Sequence, residues 1–152
     1  MRRSERQIAD TGQMHDIIQA SPFMRLALCR ENQPYVLPLS FGFDGVDLFF
    51  HCADQGRKID ILQHNPRVCC LFEQGLTLKT VRSNPCAWGV AYATVIVQGV
   101  ASLITDEATK LTALQCVTDH YASNAPHVPA DKIGHVAVWK ITIEEMTGKR
   151  ST

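Results

Sequence analysis

From Phe23 onwards the chain is written mostly as short apolar runs, each closed by a turn signal, and that cadence leaves room for little except a sheet. Phe23 to Cys29 sets Met24, Leu26 and Leu28 in alternation with Arg25, Ala27 and Cys29, which is the period of a half-buried strand. Arg30 to Gln33 turns the chain, Pro34 to Phe43 returns it, and Asp44-Gly45 is a hairpin signal before a third strand from Val46 to His51. Arg67 to Glu73 makes a fourth strand, in which the neighbouring Cys69 and Cys70 must face opposite sides. Trp88 to Ile104, rich in Val, Ala, Tyr and Thr, is a long fifth with a bend or bulge at Gly99. Ile133 to Ile143, with Trp139, Ile141 and Ile143 on one face, is the sixth, and Glu144 to Lys149 closes the chain. About six strands with few helices indicate a mainly β fold, a closed barrel with peripheral α-helices.

Three helices fit between the strands. Asp10-Thr11 caps a short amphipathic helix carrying Met14, Ile17 and Ile18, which ends at Ser21-Pro22. Gly56 to about His64 is a second, turning Ile59 and Leu62 inward until Asn65-Pro66 stops it. Asp106 to about Tyr121 is the third, with acidic residues in its first turn and Leu111, Leu114, Val117 and Tyr121 at helical spacing. Gln74 to Ala87 is polar and reads as a long connection, and Asn124 to Lys132 as a loop.

The 152 residues suffice for one domain with a proper core, and 15 acidic residues balance 15 basic ones. That balance supplies no broad positive field for nucleic acid or an anionic membrane, so partners are expected to be small molecules or protein. The start, Met1 to Gln7, has cations without an apolar run behind them, no window reaches membrane-spanning length, and a cytoplasmic location is expected. Six cysteines show no Cys-x-x-Cys spacing and sit mostly in apolar runs, which argues against zinc and against a disulfide framework. No metal ligand set is assigned. The chain also lacks a nucleophile elbow, a glycine-rich phosphate loop and a His-x-x-x-His pair.

The stretch that carries chemistry is His51 to Lys58. It leaves a hydrophobic strand, turns at Gly56 and opens a helix with Arg57 and Lys58. A helix start leaves backbone N–H groups unpaired, and two cations beside them make an anion site whose natural occupant is a phosphate. Arg offers a planar fork and Lys a mobile point charge, together fixing the orientation and charge of a phosphomonoester. A solvated basic turn is the alternative. Pro38 in the second strand cannot donate to a ladder, so the strand is an edge or bulged there. Backbone left unpaired at that point is able to bond a planar heterocycle.

Taken in order, Pro34 to Ser40, Phe50-His51-Cys52-Ala53 with Gly56-Arg57-Lys58, Asn65-Pro66, Trp88-Gly89, the Tyr92 to Gly99 strand and Met146-Thr147-Gly148-Lys149 resemble the pyridoxamine 5′-phosphate oxidase-like FMN-binding split barrels, nearest the nitroimidazole-resistance (Nim) related branch. The resemblance implies a single six-stranded split-barrel domain over residues 1–152, a homodimer, and FMN in the groove between subunits. It places Arg57 and Lys58 on the flavin phosphate, His51, Cys52 and Ala53 along the flavin, and Leu37, Pro38, Leu39 and Ser40 with their backbone facing the ring. Tyr92 and Thr94 match the later strand, often the partner's, that reaches the cofactor. Two positions depart from the pattern. Nim proteins carry a histidine where this chain has Arg57, so that histidine's chemistry is not implied here, and many relatives carry a base just after the Tyr92 position, where this chain has Ala93.

A flavin brings its own electron chemistry and asks the protein mainly for orientation and electrostatics. The resemblance therefore implies an FMN-dependent oxidoreductase acting on a small organic substrate, with NADH, NADPH or another reductant as donor. A noncatalytic flavin binder, or a split barrel that has lost flavin and holds another ligand such as haem, are the alternatives. His51 is either a proton donor or a structural residue. Trp88, Tyr92 and Trp139 line a pocket or pack at a dimer interface, and His15, His64, His120, His127 and His135 read as surface or core.

Overall fold

The computed structural model describes residues 3–151; Met1 and Arg2 of the cationic start lie outside them. Eight strands form one antiparallel sheet. They are β1 (Gln7–Ile8), β2 (Met24–Arg30), β3 (Gln33–Leu39), β4 (Gly42–Phe43), β5 (Asp47–Cys52), β6 (Arg67–Lys79), β7 (Gly89–Leu103) and β8 (Ala137–Ser151). The helices are α1 (Thr11–Ala20), α2 (Arg57–His64) and α3 (Glu107–Tyr121). Six strands are long; β1 and β4 have two residues each.

The strand order is β3-β2-β6-β7-β8-β5-β4, with β1 on the far part of β8. The path is open, and this corrects the closed barrel: among the described residues no pairing joins β3 to β4, so β3 keeps a free outer edge. Pro38 sits on that edge strand, opposite Arg25 of β2, where its missing N–H costs the ladder nothing. The β2–β3 turn is made by Glu31 and Asn32, both at positive φ (51° and 60°), the hand that matches strand twist in a two-residue hairpin.

Local signals explain the helices. Asp10 accepts from the Gln13 N–H at 3.1 Å and opens α1, whose Met14, Ile17 and Ile18 are buried. Asp106 accepts from the Thr109 N–H at 2.8 Å and opens α3. The main core gathers Phe41, Phe50 and Phe72 with α1 and α2, while a second cluster of Phe49, Leu114, Val117 and Val138 seats α3. Gly42 permits that seat, because a Cβ there would lie 2.6 Å from the α3 backbone at Cys116 and Val117.

Long-range pairing shifts three expected boundaries. The second strand ends at Leu39 rather than Phe43; Phe41 turns into the core and the chain crosses to pair Gly42–Phe43 with β5. The polar stretch from Gln74 is strand as far as Lys79, because Thr77, Leu78 and Lys79 pair with Ala91, Val90 and Gly89 across an irregularity at Gly75 (φ 65°). The last strand starts at Ala137 and runs to Ser151, since residues 145–151 pair with 92–98 of β7. The irregularity expected at Gly99 is present as a register shift after Gln98, and a Cβ at Gly99 would meet the Thr142 carbonyl oxygen at 2.3 Å. Among the described residues no helix is long and apolar enough to cross a membrane.

Candidate functional site

β5 is held by β8 along its whole length, ending with Cys52 opposite Ala137, and then releases the chain into the exposed loop from Ala53 to Gly56. Gly56 has φ 112°, a region that only glycine enters cheaply, and its carbonyl accepts from the Ile59 N–H at 2.8 Å and the Asp60 N–H at 3.1 Å. No side chain caps this helix start, so its leading N–H groups are left to another acceptor. Buried Ile59, Ile61 and Leu62 anchor α2 from below and leave Arg57 exposed and Lys58 half-buried.

Each of the two cations rests on an aromatic ring. The Arg57 guanidinium carbon is 4.7 Å from the Tyr35 centroid on β3, and the Lys58 Nζ is 5.8 Å from the Phe50 centroid on β5. Phe50 is fully buried and lies parallel to Trp139, 6.3 Å between centroids and 6° between planes, which makes a stiff floor. Among the described residues neither Arg57 nor Lys58 joins an ion pair with a carboxylate. The positive charge of Lys58 also bears on the Cys52 thiol and draws its value down. Burial nevertheless holds the Cys52 thiol above its ordinary value, so at neutral pH it is a thiol and not a nucleophilic thiolate.

His51 is held below its ordinary value of 6.5, first by desolvation among its neighbours and then by the charge of Lys58. At pH 7 its imidazole is neutral. Because the folded value is below the unfolded one, the stability tied to this group is complete above pH 6.5 and is lost as the pH falls through the folded value. Bound phosphate would offset Lys58 and raise the value again. An NMR titration is expected to show His51 below 6.5 in the free protein and higher with FMN present; an unmoved titration would separate His51 from the anion site.

The sequence-predicted residues fall into three groups. His51, Cys52, Ala53, Arg57 and Lys58 come together at the end of β5 and the start of α2. Leu37, Pro38, Leu39 and Ser40 follow Tyr35 along the edge strand, with Leu37 and Leu39 packed against the core and Pro38 exposed. Tyr92 and Thr94 are elsewhere. Thr94 pairs with Lys149 and Tyr92 with Ser151, whereas Cys52 pairs with Ala137, and the stretch of β8 from 137 to 149 has a contour of roughly 40 Å. Thr94 Oγ1 donates to the Lys149 carbonyl at 3.4 Å, and the neighbouring cations Lys149 and then Arg6 hold the Tyr92 phenol below its ordinary value. Trp139 lies in the core, while Trp88 is exposed, its indole N–H donating to the Val81 carbonyl at 2.9 Å.

Tyr35 and Phe50 were not singled out as site residues. Both stand in runs that read plainly as strand, and nothing local says that Tyr35 meets a residue 22 positions later. A hollow of about 230 Å³ beside them is lined by Arg30, Glu31, Gln33, Arg57, Asp60 and Ile61. A larger one, about 680 Å³, lies against α3 and includes Phe43, Cys116, His120 and His127. There burial, Asp44 and Asp119 push the Cys116 thiol up to about 11, and His120 Nε2 meets the Ser21 carbonyl at 3.0 Å, both signs of a packed helix seat.

A family model described as pyridoxamine 5′-phosphate oxidase matches residues 10–150. Among solved structures, a protein described as a 5-nitroimidazole antibiotic resistance protein from Bacteroides thetaiotaomicron is 28% identical with a TM-score of 0.83, covering 94% of this chain and 85% of that one. The flavocytochrome Anf3 from Azotobacter vinelandii is 25% identical with a TM-score of 0.80, covering 96% and 69%. The FAD and haem binding protein from Mycobacterium smegmatis has the same fold at 16% identity, with a TM-score of 0.83 and coverage of 96% and 73%. An uncharacterized protein of Rhizobium meliloti (strain 1021) is 36% identical over 52 residues, so the match spans about a third (34%) of its length.

Proposed function

Since the chain belongs to the pyridoxamine 5′-phosphate oxidase family and has its split-barrel fold, we propose that it binds FMN and works as a flavin-dependent oxidoreductase on a small organic substrate. The observation that carries this reading is the pair Arg57 and Lys58, held on aromatic rings beside an uncapped helix start and matched to no carboxylate among the described residues. Such cations keep their donors for an anion, and a phosphomonoester dianion fits both the charge and the N–H groups. Solved relatives described as a flavocytochrome and as an FAD and haem binding protein support a flavin at this fold.

In this proposal Arg57, Lys58 and the first N–H groups of α2 hold the phosphate. The free edge of β3 from Leu37 to Ser40 offers backbone groups to the ring's polar rim, and His51, Cys52 and Ala53 line its approach. When bound, the flavin supplies the hydride and electron transfer. The protein orients it, sheds water from its face and keeps a neutral imidazole at His51 nearby. Tyr92 and Thr94 pair with the far end of β8, away from the part of β8 that holds Cys52, which supports a homodimer in which they come from the partner.

The test is an absorption spectrum after loading with FMN and gel filtration, followed by anaerobic addition of NADH or NADPH. About one flavin per subunit, bleached by a nicotinamide donor, is expected. A colourless protein would overturn the flavin reading, and retained flavin that neither donor bleaches would overturn the nicotinamide donor.

A further inference from the structure

We propose that Tyr35 is the positioning residue for the phosphate site: its ring holds the Arg57 guanidinium in place without neutralising it, which allows an exposed arginine to serve as a fixed anion receptor. The inference rests on the phosphate reading above and assigns it a residue outside the β5–α2 segment.

Arg57 is the first residue of α2, exposed on a long flexible side chain, and a free arginine in that position would sample many rotamers. Two carboxylates, Glu31 and Asp60, line the same hollow and could have fixed it by an ion pair. Neither does: Glu31 pairs instead with Arg30 at 3.4 Å, and no contact within ion-pair distance joins Arg57 to Asp60 among the described residues. The Tyr35 ring is the group that holds it, at 4.7 Å. The difference matters chemically. A carboxylate would fix the guanidinium by consuming its N–H donors and would have to be displaced by the phosphate. A ring face attracts the cation and accepts none of its in-plane hydrogen bonds, so the five donors stay available.

The seat is itself rigid. Tyr35 is half-buried, stands opposite Leu28 in the β2–β3 ladder and packs against the main core, two residues before the stretch proposed to face the ring. One strand thus carries both the platform for the phosphate cation and the open backbone for the ring, and the hairpin that holds β3 sets their spacing. Lys58 is seated in the same manner on buried Phe50, but that ring belongs to the core and cannot be altered without loss of packing. Tyr35 can be altered.

The test compares FMN with riboflavin, which has the same ring and no phosphate, by fluorescence titration of the full-length protein. Tyr35→Phe keeps the ring face and is expected to bind FMN within about twofold of the parent. Tyr35→Leu is expected to weaken FMN by about threefold to thirtyfold and to leave riboflavin unchanged. Tyr35→Met, a non-aromatic side chain without branching, gives the same reading if the leucine variant fails to fold. Equal losses for FMN and riboflavin would overturn the proposal by placing Tyr35 against the ring, and so would an unchanged FMN affinity in Tyr35→Leu or Tyr35→Met. A parent protein that binds neither compound would refute the flavin reading itself, an outcome distinct from either.

Discussion

Replacing Arg57 and Lys58 together with alanine is expected to weaken FMN binding by about a hundredfold to ten-thousandfold and to leave the fold intact. The size follows from the chemistry: hydrogen bonds to charged groups contribute about 1.5–3 kcal/mol each, and the double variant removes two such donors while the phosphate stays charged. The fold should survive because α2 is anchored by Ile59, Ile61 and Leu62, all at most 5% exposed, whereas Arg57 is exposed and Lys58 is only half-buried. Circular dichroism and thermal unfolding check the fold; equilibrium dialysis checks the flavin. Riboflavin affinity should hardly change. Retention of FMN at parental strength would remove the phosphate from this helix start and with it the main support for a flavin here.

The second large effect concerns assembly. From Gln74 to Val90 the end of β6, the connection and the start of β7 are exposed throughout, and Leu76 (54%), Leu78 (63%), Trp88 (50%) and Val90 (45%) face solvent in one subunit. A two-stranded ribbon is marginal in water on its own, and a cluster of large apolar side chains on it calls for cover. In the proposed homodimer the cover is the second copy, and Tyr92 and Thr94 lie at the base of this same ribbon. Leu78→Glu is therefore expected to shift the protein from dimer to monomer in sedimentation velocity and to strip its flavin at the same time, although Arg57 and Lys58 are untouched. A dimer that keeps its flavin despite this charge would detach the ribbon from both assembly and cofactor.

What the sequence shows of this protein depends on how local each signal is. Asp10, Asp106 and Asp44-Gly45 act on residues two or three positions away, and the structure has a capped helix or a turn at each. Arg57 and Lys58 stand out because a glycine and two adjacent cations need no tertiary partner to be noticed. The extension of β6 beyond Gln74 depends on pairing with residues at least ten positions later, and polar composition hides it. The same holds for residues 144–151, whose exposed glutamates conceal a strand that pairs with β7 from Glu145 onward. The Tyr35 seat lies deepest, since only the hairpin and the crossing to β5 bring a tyrosine of one strand over an arginine of a distant helix.

Leaving one strand of the sheet unpaired on its outer side carries a hazard of its own. A free edge bearing Tyr35, Val36, Leu37 and Leu39, with Val36 64% exposed, is the kind of template on which stray chains stack into fibres. Pro34 and Pro38 interrupt it on either side of Val36, and neither offers an N–H to an incoming strand. Three residues between two such gaps are too few to propagate a ladder. The spacing of the prolines thus guards an open edge against pairing with a second chain.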